Sequence, residues 1–345
     1  MALEWVPIDT QRDSTMMRLA AGLVLAGLAL FTGGWIFLGQ LGTGNPDHSS
    51  PEKPSDFAAD REIEYFYAKR AMKYLEDICR IGPRISGSEG MKEQQRILEK
   101  HFEAQGGKIH WQRFTARQKS QAKPVELANL IVSWHPERQR RIILCSHYDT
   151  RPIADQEEKR SKWTQPFISA NDGGSGVALL MELGHLMKNL KVRVGVDFVF
   201  FDGEEYIFNP EPNGDVYFLG SEHFAQNYQK NPPRHRYLGA VLMDMIGGKN
   251  ARFPFEQNSW FKAGDLVQEI WTIAAEQKCA AFVNEIGPKV QDDHLALNRV
   301  RIPAVDIIDF QYPHWHRLSD IPGNCSPESL DQVARVLIIW LQRLN

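Results

Sequence analysis

Two segments of the chain are almost entirely apolar: VGVDFVFF at 194–201 and LGAVLM at 238–243. A strand that alternates apolar and polar residues has one wet face, whereas a continuous apolar run indicates a strand covered on both faces. Such strands need helices on each side of their sheet. The sequence therefore predicts a three-layer α/β/α fold around a central mixed, mostly parallel sheet.

The rest of the chain from residue 58 continues this alternation. Two amphipathic helices come first, ended by Gly82-Pro83 and by Gly106-Gly107. The other predicted strands are 109–114, 127–134, 141–146 and 303–308, and later helices are predicted near 175–188, 221–229, 260–278 and 327–344. We therefore assign 58–345 to one α/β domain.

Residues 19–41 contain no charged side chain over 23 residues. This length suffices to cross a bilayer at about 1.5 Å per residue, whereas the apolar part of a signal peptide spans only about 7–15 residues. The sequence predicts a transmembrane anchor, with a cleaved signal peptide or a buried core helix as alternatives. Because Arg12 and Arg18 precede it, residues 1–18 are expected in the cytoplasm and the large domain in the periplasm or outside the cell.

Residues 42–57 are rich in Gly, Pro and Ser and are predicted to form a linker. The chain has 40 basic and 43 acidic residues, and this balance gives no indication of nucleic-acid binding. Its four cysteines, none at C-x-x-C spacing, argue against a zinc finger or a thioredoxin motif. Free thiols or one disulfide remain open for Cys79, Cys145, Cys279 and Cys325.

Acidic and imidazole side chains follow the predicted strands at the points where they end. In open α/β sheets, sites form at the carboxyl ends of the strands, and an imidazole–carboxylate set suits Zn²⁺. One of two adjacent glutamates can bind the metal while the other moves a proton. The residues that carry this prediction are His147, Asp149, Asp172, Glu204, Glu205, Asp244 and His316.

In this order, the set resembles the zinc peptidase family M28 over nearly all of 58–345. Within that family the chain is more similar to the glutaminyl-peptide cyclotransferase branch. The stretches that carry this resemblance are FFDGEE (200–205), LGSEHFA (219–225), MDMIGG (243–248), FPFEQNSWF (253–261), QDDH (291–294) and Trp315-His316.

The cyclotransferase resemblance implies an enzyme that converts the N-terminal glutamine of peptides to pyroglutamate and releases ammonia. Asp172, Glu205 and His316 would hold one zinc ion, and Glu204 would carry the proton. The supporting residues would be Asp244 and Asp292, which would hydrogen-bond to Glu204. The candidates for substrate contact are Trp315 and Tyr312, for which packing in the core is the alternative.

A resemblance to the aminopeptidases of the same family implies a second use of these residues. His147, Asp172 and Asp244 would hold an additional zinc ion, and Asp149 would orient His147. Glu204 would then activate the water that cleaves the first peptide bond. A third alternative is a binding domain without activity, which would be expected to have lost some of these residues, and none is lost.

Overall fold

The computed structural model describes residues 56–344, with side chains from Ala68 onward. The predicted tail at 1–18 and membrane segment at 19–41 lie outside this range, as does the predicted linker up to residue 55. The first helix begins at Asp56, two residues before the predicted start of the domain. Within the described range, no helix is both long and apolar enough to cross a membrane.

Seven helices and eight strands are described between residues 56 and 344. The helices are α1 (Asp56–Cys79), α2 (Glu89–Gln105), α3 (Ser175–Met187), α4 (Leu219–Lys230), α5 (Gln257–Glu276), α6 (His294–Arg299) and α7 (Pro327–Arg343). The strands are β1 (Lys108–Ala116), β2 (Val125–Trp134), β3 (Arg140–His147), β4 (Gly195–Phe201), β5 (Arg236–Asp244), β6 (Phe253–Phe255), β7 (Phe282–Ile286) and β8 (Ala304–Ile308).

Six strands form the central sheet in the order β1-β2-β4-β3-β5-β8. The pairs β4–β3, β3–β5 and β5–β8 are parallel, whereas β1–β2 and β2–β4 are antiparallel. The predicted α/β class and mixed sheet are confirmed. The separate pair β6–β7 was not predicted, because β6 has only three residues and β7 is mostly exposed and lacks the continuous apolar run of the central strands.

Alternate residues of β3 enter different apolar clusters. Ile142 and Leu144 pack in a cluster that includes residues of α2, α3, α5 and α7. Ile143 and Cys145 pack on the other side with Phe224 of α4 and Leu297 of α6. Helices thus cover both faces of the sheet, which explains the continuous apolar runs in the sequence. No disulfide joins the four cysteines, all of which are buried.

Gly173 shapes the turn that leads into α3 beside the end of β3. Its φ of +70° lies in the left-handed region, which favours glycine. A Cβ atom there would lie 2.7 Å from both the His147 ring and the Asp149 carbonyl oxygen. The turn can therefore pack against the end of β3 only because residue 173 lacks a side chain.

Candidate metal centre and active-site cavity

The sheet brings the predicted site residues together at one edge. His147 is the last residue of β3 and pairs with Phe201, the last residue of β4. Asp244 is the last residue of β5 and pairs with Ile308, the last residue of β8. The carboxyl ends of four parallel strands are therefore level with one another, and the loops that follow them surround one space.

Asp172, Glu205 and His316 form the first group that could hold a metal ion. One potential ligand atom from each lies within 4.8 Å of the others, and all three residues are buried. Nε2 of His316 lies 2.6 Å from Oε1 of Glu205 and 3.6 Å from Oδ2 of Asp172. Three residues far apart along the chain thus meet around a common point.

His147, Asp172 and Asp244 form a second such group. Nε2 of His147 lies 3.1 Å from Oδ1 of Asp172 and 3.2 Å from Oδ1 of Asp244. Asp172 therefore belongs to both groups and presents a different oxygen to each.

The chemistry of these side chains fits a divalent cation. Oδ2 of Asp172 and Oε2 of Glu205 are buried and accept no hydrogen bond. A buried carboxylate oxygen without a donor or a cation is energetically costly. Carboxylate oxygens and imidazole nitrogens in this number are the ligands that Zn²⁺ uses in catalytic sites. The residues present can therefore hold zinc.

Asp149 fixes the backbone that carries the two glutamates. Its carboxylate accepts hydrogen bonds from the backbone amides of Glu204 at 3.1 Å and of Glu205 at 3.0 Å. The same carboxylate lies 3.7 Å from Nδ1 of His147, the residue that the sequence predicted it to orient. Its shortest contacts are therefore with the glutamate backbone rather than with the histidine.

Glu204 lines the cavity but belongs to neither metal-binding group. Its carboxylate lies 3.7 Å from Nδ1 of His147. Burial raises the pKa of Glu204 well above its ordinary value, and the charges of Glu205 and Asp292 raise it further against the opposing effect of His147. This carboxyl group therefore holds a proton more readily than an ordinary glutamate does, as a group that accepts and returns a proton must.

The two carboxylates of the first group differ in their affinity for a proton. Burial favours the neutral form of Glu205, but the positive charges of His316 and Arg151 prevail and lower its pKa to about 2. Burial and the charge of Glu205 raise the pKa of Asp172 to about 7. Glu205 is thus the more strongly ionised of the two carboxyl groups.

Asp292 lies in the segment before α6 and is 5% exposed. Burial raises its pKa well above the ordinary value, and the charge of Asp244 adds to the effect. Asp244 and Asp292 line the same cavity as Glu204. The structure therefore brings together all three residues that the sequence predicted to be catalytic.

The cavity over these residues has a volume of about 470 Å³. The Trp315 ring lies 4.1 Å from the His316 ring and 5.0 Å from that of Phe310, measured between centroids. Besides the acids and His316, the cavity is lined by Arg151, Gln156, Pro210, Tyr217, Phe218, Val290, Gln291, Ile308, Phe310 and Trp315. The lining of the cavity thus combines charged side chains with aromatic ones.

Trp315 and Tyr312 were both predicted to contact substrate, and the structure places them differently. Trp315 lines the cavity and is partly exposed. Tyr312 is 4% exposed and is not among the lining residues; its hydroxyl donates a hydrogen bond to Asp320 at 2.9 Å. Tyr312 thus packs beneath the site, in the way that the core alternative describes.

Sequence reasoning missed three charged residues that contact the centre. Arg151 donates a hydrogen bond to Glu205, and Asp155 lies beside His316. Asp320 accepts the backbone amides of Asn171 and Asp172 at 2.9 and 3.2 Å. The available signal was weak: Arg151 and Asp155 directly follow the His147-x-Asp149 motif in a segment without helical or strand periodicity.

A second cavity, of about 420 Å³, is lined by residues from the opposite ends of the strands. Arg141 and Asp197 form a buried ion pair there, and the remaining capacity of Asp197 is taken by hydroxyl groups of Ser133 and Tyr237. The buried charges of this cavity, on Arg141 and Asp197, therefore neutralise one another, whereas those of the first cavity do not.

Residues 129–341 match the family described as peptidase family M28. A bovine glutaminyl-peptide cyclotransferase-like protein is 24% identical over 291 residues, which cover 75% of this chain and 71% of the relative. The crystal structure of Fimbriiglobus ruber glutaminyl cyclase is 50% identical, covers 80% of this chain and 94% of its own, and has a TM-score of 0.78.

A Bacteroides thetaiotaomicron structure described as a leucine aminopeptidase precursor is 29% identical. It covers 81% of this chain and 97% of its own, with a TM-score of 0.76. The resemblance inferred from the strand-end residues is therefore confirmed, and this chain belongs to peptidase family M28.

Proposed function

We propose that this chain is a zinc-dependent glutaminyl-peptide cyclotransferase, which converts the N-terminal glutamine of peptides to pyroglutamate and releases ammonia. The observation that carries the proposal is the position of Glu204, a buried acid beside the metal-binding groups but outside both. The similarity to a bacterial glutaminyl cyclase at 50% identity supports this function.

Asp172, Glu205 and His316 would hold the zinc ion. When bound there, zinc would polarise the side-chain carbonyl of the substrate glutamine and stabilise negative charge that develops on its oxygen. Because Glu205 is held as a carboxylate, it offers the ion a full negative charge.

Glu204 would move the proton that the reaction requires. The α-amino nitrogen of the substrate forms a bond to the side-chain carbonyl carbon, and the bond from that carbon to the amide nitrogen breaks. Glu204 accepts a proton from the attacking nitrogen and gives it to the departing nitrogen, which leaves as ammonia. Its raised pKa makes it a better proton acceptor than an ordinary carboxylate, which suits both transfers.

Asp244 and Asp292, which line the same cavity, would support Glu204 by hydrogen bonds. Trp315 would pack against the bent glutamine side chain. Ring closure within one molecule gains most of its rate from holding that conformer, so a cavity of about 470 Å³ suits the reaction.

A specific observation favours a second candidate, a di-zinc aminopeptidase. The group of His147, Asp172 and Asp244 is also complete and buried. With zinc in both groups, Glu204 would activate a water molecule that attacks the first peptide bond, and Asp149 would orient His147. The cyclotransferase predicts one zinc ion per chain and the aminopeptidase predicts two.

The two functions are separated by two assays on the purified full chain. One peptide beginning with glutamine and one beginning with leucine are incubated with the protein and followed by mass spectrometry. Cyclisation removes ammonia, about 17 Da, from the first peptide and leaves the second intact. Release of free leucine, together with two zinc ions per chain, would instead identify the aminopeptidase.

We also propose that residues 19–41 anchor the chain in a membrane, with 1–18 in the cytoplasm and the catalytic domain in the periplasm or outside the cell. The absence of charge over these residues and the basic residues before them support this arrangement. Fractionation of cells that express the full chain tests it: the anchor requires the protein to remain with the membranes after an alkaline wash.

A further inference from the structure

Arg151 is a buried arginine that contacts a metal ligand. Its side chain is 1% exposed, and its Nη1 donates a hydrogen bond to Oε1 of Glu205 at 3.2 Å. Its Nη2 donates to Oδ2 of Asp155 at 2.9 Å and to the Tyr217 hydroxyl at 2.9 Å. The guanidinium group therefore joins Glu205 to Asp155 through two different nitrogens.

This contact distinguishes the two oxygens of Glu205. Oε1 is occupied by Arg151 and lies beside His316, whereas Oε2 is buried and has no partner. A carboxylate that is held through one oxygen presents the other in a fixed direction. Arg151 thus selects Oε2 as the oxygen that Glu205 offers to a cation.

Asp155 contacts the other end of the same pair of ligands. Its Oδ1 lies 2.9 Å from Nδ1 of His316, which is an ion-pair distance. The two atoms do not form a hydrogen bond, because the ring N–H is not directed at the oxygen. The adjacent Gln156 donates its backbone amide to the His316 carbonyl at 3.2 Å. Because Nδ1 faces Asp155, the ring turns its Nε2 towards Glu205 and Asp172.

We propose that Arg151 and Asp155 are positioning residues that together fix two of the three zinc ligands, Glu205 and His316. Arg151 hydrogen-bonds to the carboxylate of Glu205, and Asp155 contacts the imidazole of His316. The ion pair between Arg151 and Asp155 then fixes the two ligands relative to each other. This inference rests on the zinc centre of the proposed function but not on which reaction that centre performs. Within the described part of the chain, the second group, His147 with Asp172 and Asp244, makes no hydrogen bond or ion pair to Arg151 or Asp155 and would be affected only through the shared Asp172.

The test measures zinc affinity on the full chain by competition with a chelator. Residues that orient metal ligands typically contribute about 10- to 100-fold to metal affinity. We expect Asp155→Asn and Arg151→Met each to raise the zinc Kd by about this factor. Arg151→Lys retains the positive charge but loses the two-nitrogen geometry, and we expect it to recover only part of the loss.

The visible absorption spectrum after substitution with Co²⁺ provides a readout other than affinity or activity. If the pair fixes the ligand geometry, the cobalt bands of Asp155→Asn and Arg151→Lys shift relative to those of the wild-type protein. Arg335 and Asp331 form a partly exposed ion pair with the same four-residue separation, so Asp331→Asn is the matched control and should change neither the Kd nor the spectrum.

Wild-type zinc affinity and an unchanged cobalt spectrum in folded Asp155→Asn and Arg151→Lys would overturn this inference and leave the proposed function intact. If Arg151→Met does not fold, Asp155→Asn and Arg151→Lys still test the inference. A wild-type chain that binds no zinc would overturn the inference and the proposed function together.

Discussion

Glu204 and Glu205 are consecutive in the chain, yet their carboxyl groups experience opposite electrostatic environments. The pKa of Glu204 is raised by burial among other acids, whereas His316 and Arg151 overcome the effect of burial and lower that of Glu205 to about 2. The backbone of both residues is held by one carboxylate, that of Asp149. A single turn thus presents one carboxyl group inside a candidate metal-binding group and one outside both groups.

Replacing Glu204 with glutamine should separate these two roles. Glu204→Gln preserves size but cannot accept a proton, so we expect turnover to fall by about 10²- to 10⁴-fold while zinc content stays the same. Glu211→Gln, at an exposed position in the following loop, is the control. Near-normal turnover in Glu204→Gln would contradict the proton-transfer role.

The number of zinc ions can be tested at the two histidines. His316→Gln removes a ligand from the first group, and we expect it to abolish zinc binding in a one-zinc cyclotransferase. His147→Gln alters only the second group and should leave one zinc per chain. Elemental analysis of the two purified variants checks this expectation, and a fall from two ions to one in His147→Gln would favour the aminopeptidase.

Gly173→Ala should destabilise the protein. The positive φ alone costs an alanine about 1–3 kcal/mol, and the added Cβ would collide with the His147 ring. Gly82 also has a positive φ, but no atom lies within 4 Å of its missing Cβ. In denaturant unfolding, we therefore expect Gly173→Ala to lose more stability than Gly82→Ala, and equal losses would show that the contact with His147 is unimportant.

The stability of the metal-free protein should fall as the pH rises from about 4 to 7. Burial and the nearby charge of Asp149 raise the pKa of Asp202 from 3.8 to about 7. In this window the folded state retains a proton that the unfolded state has released, so raising the pH favours unfolding by up to about 1.4 kcal/mol per pH unit.

Asp202→Asn removes this titration and should make the pH dependence of unfolding less steep. The substitution also lowers stability overall, because Asp202 accepts hydrogen bonds from Ser86 and from the Ala128 amide. The slope rather than the absolute stability is therefore the quantity to compare with wild type. An identical slope in the variant would show that Asp202 ionises normally in the folded protein.

The strands were predictable because burial on two faces leaves a continuous apolar signal in the sequence. The site residues at their ends were predictable because the last residues of β3, β4 and β5 are aligned. Residues that closely follow these strand ends in the sequence therefore lie close to one another in space. These regularities do not extend to Tyr312, which follows β8 but turns inward to Asp320.

Arg151, Asp155 and Asp320 could not be identified from the sequence for a different reason. Asp320 contacts the backbone of Asn171 and Asp172, which precede it by about 150 positions in the chain. Asp155 approaches His316 across a similar distance. Nothing local specifies such contacts, because they depend on how two irregular loops pack after the sheet has formed.

The order of the strands also bears on how such a site can diversify. Neighbouring strands lie about 4.8 Å apart, and β3 and β5 are neighbours, so the pitch of the sheet sets the spacing of their last residues, His147 and Asp244. Loops at this end of the sheet can then change their aromatic residues without moving these two side chains. The same backbone can therefore serve two reactions. In one, water attacks the substrate, and in the other, the substrate's own α-amine attacks.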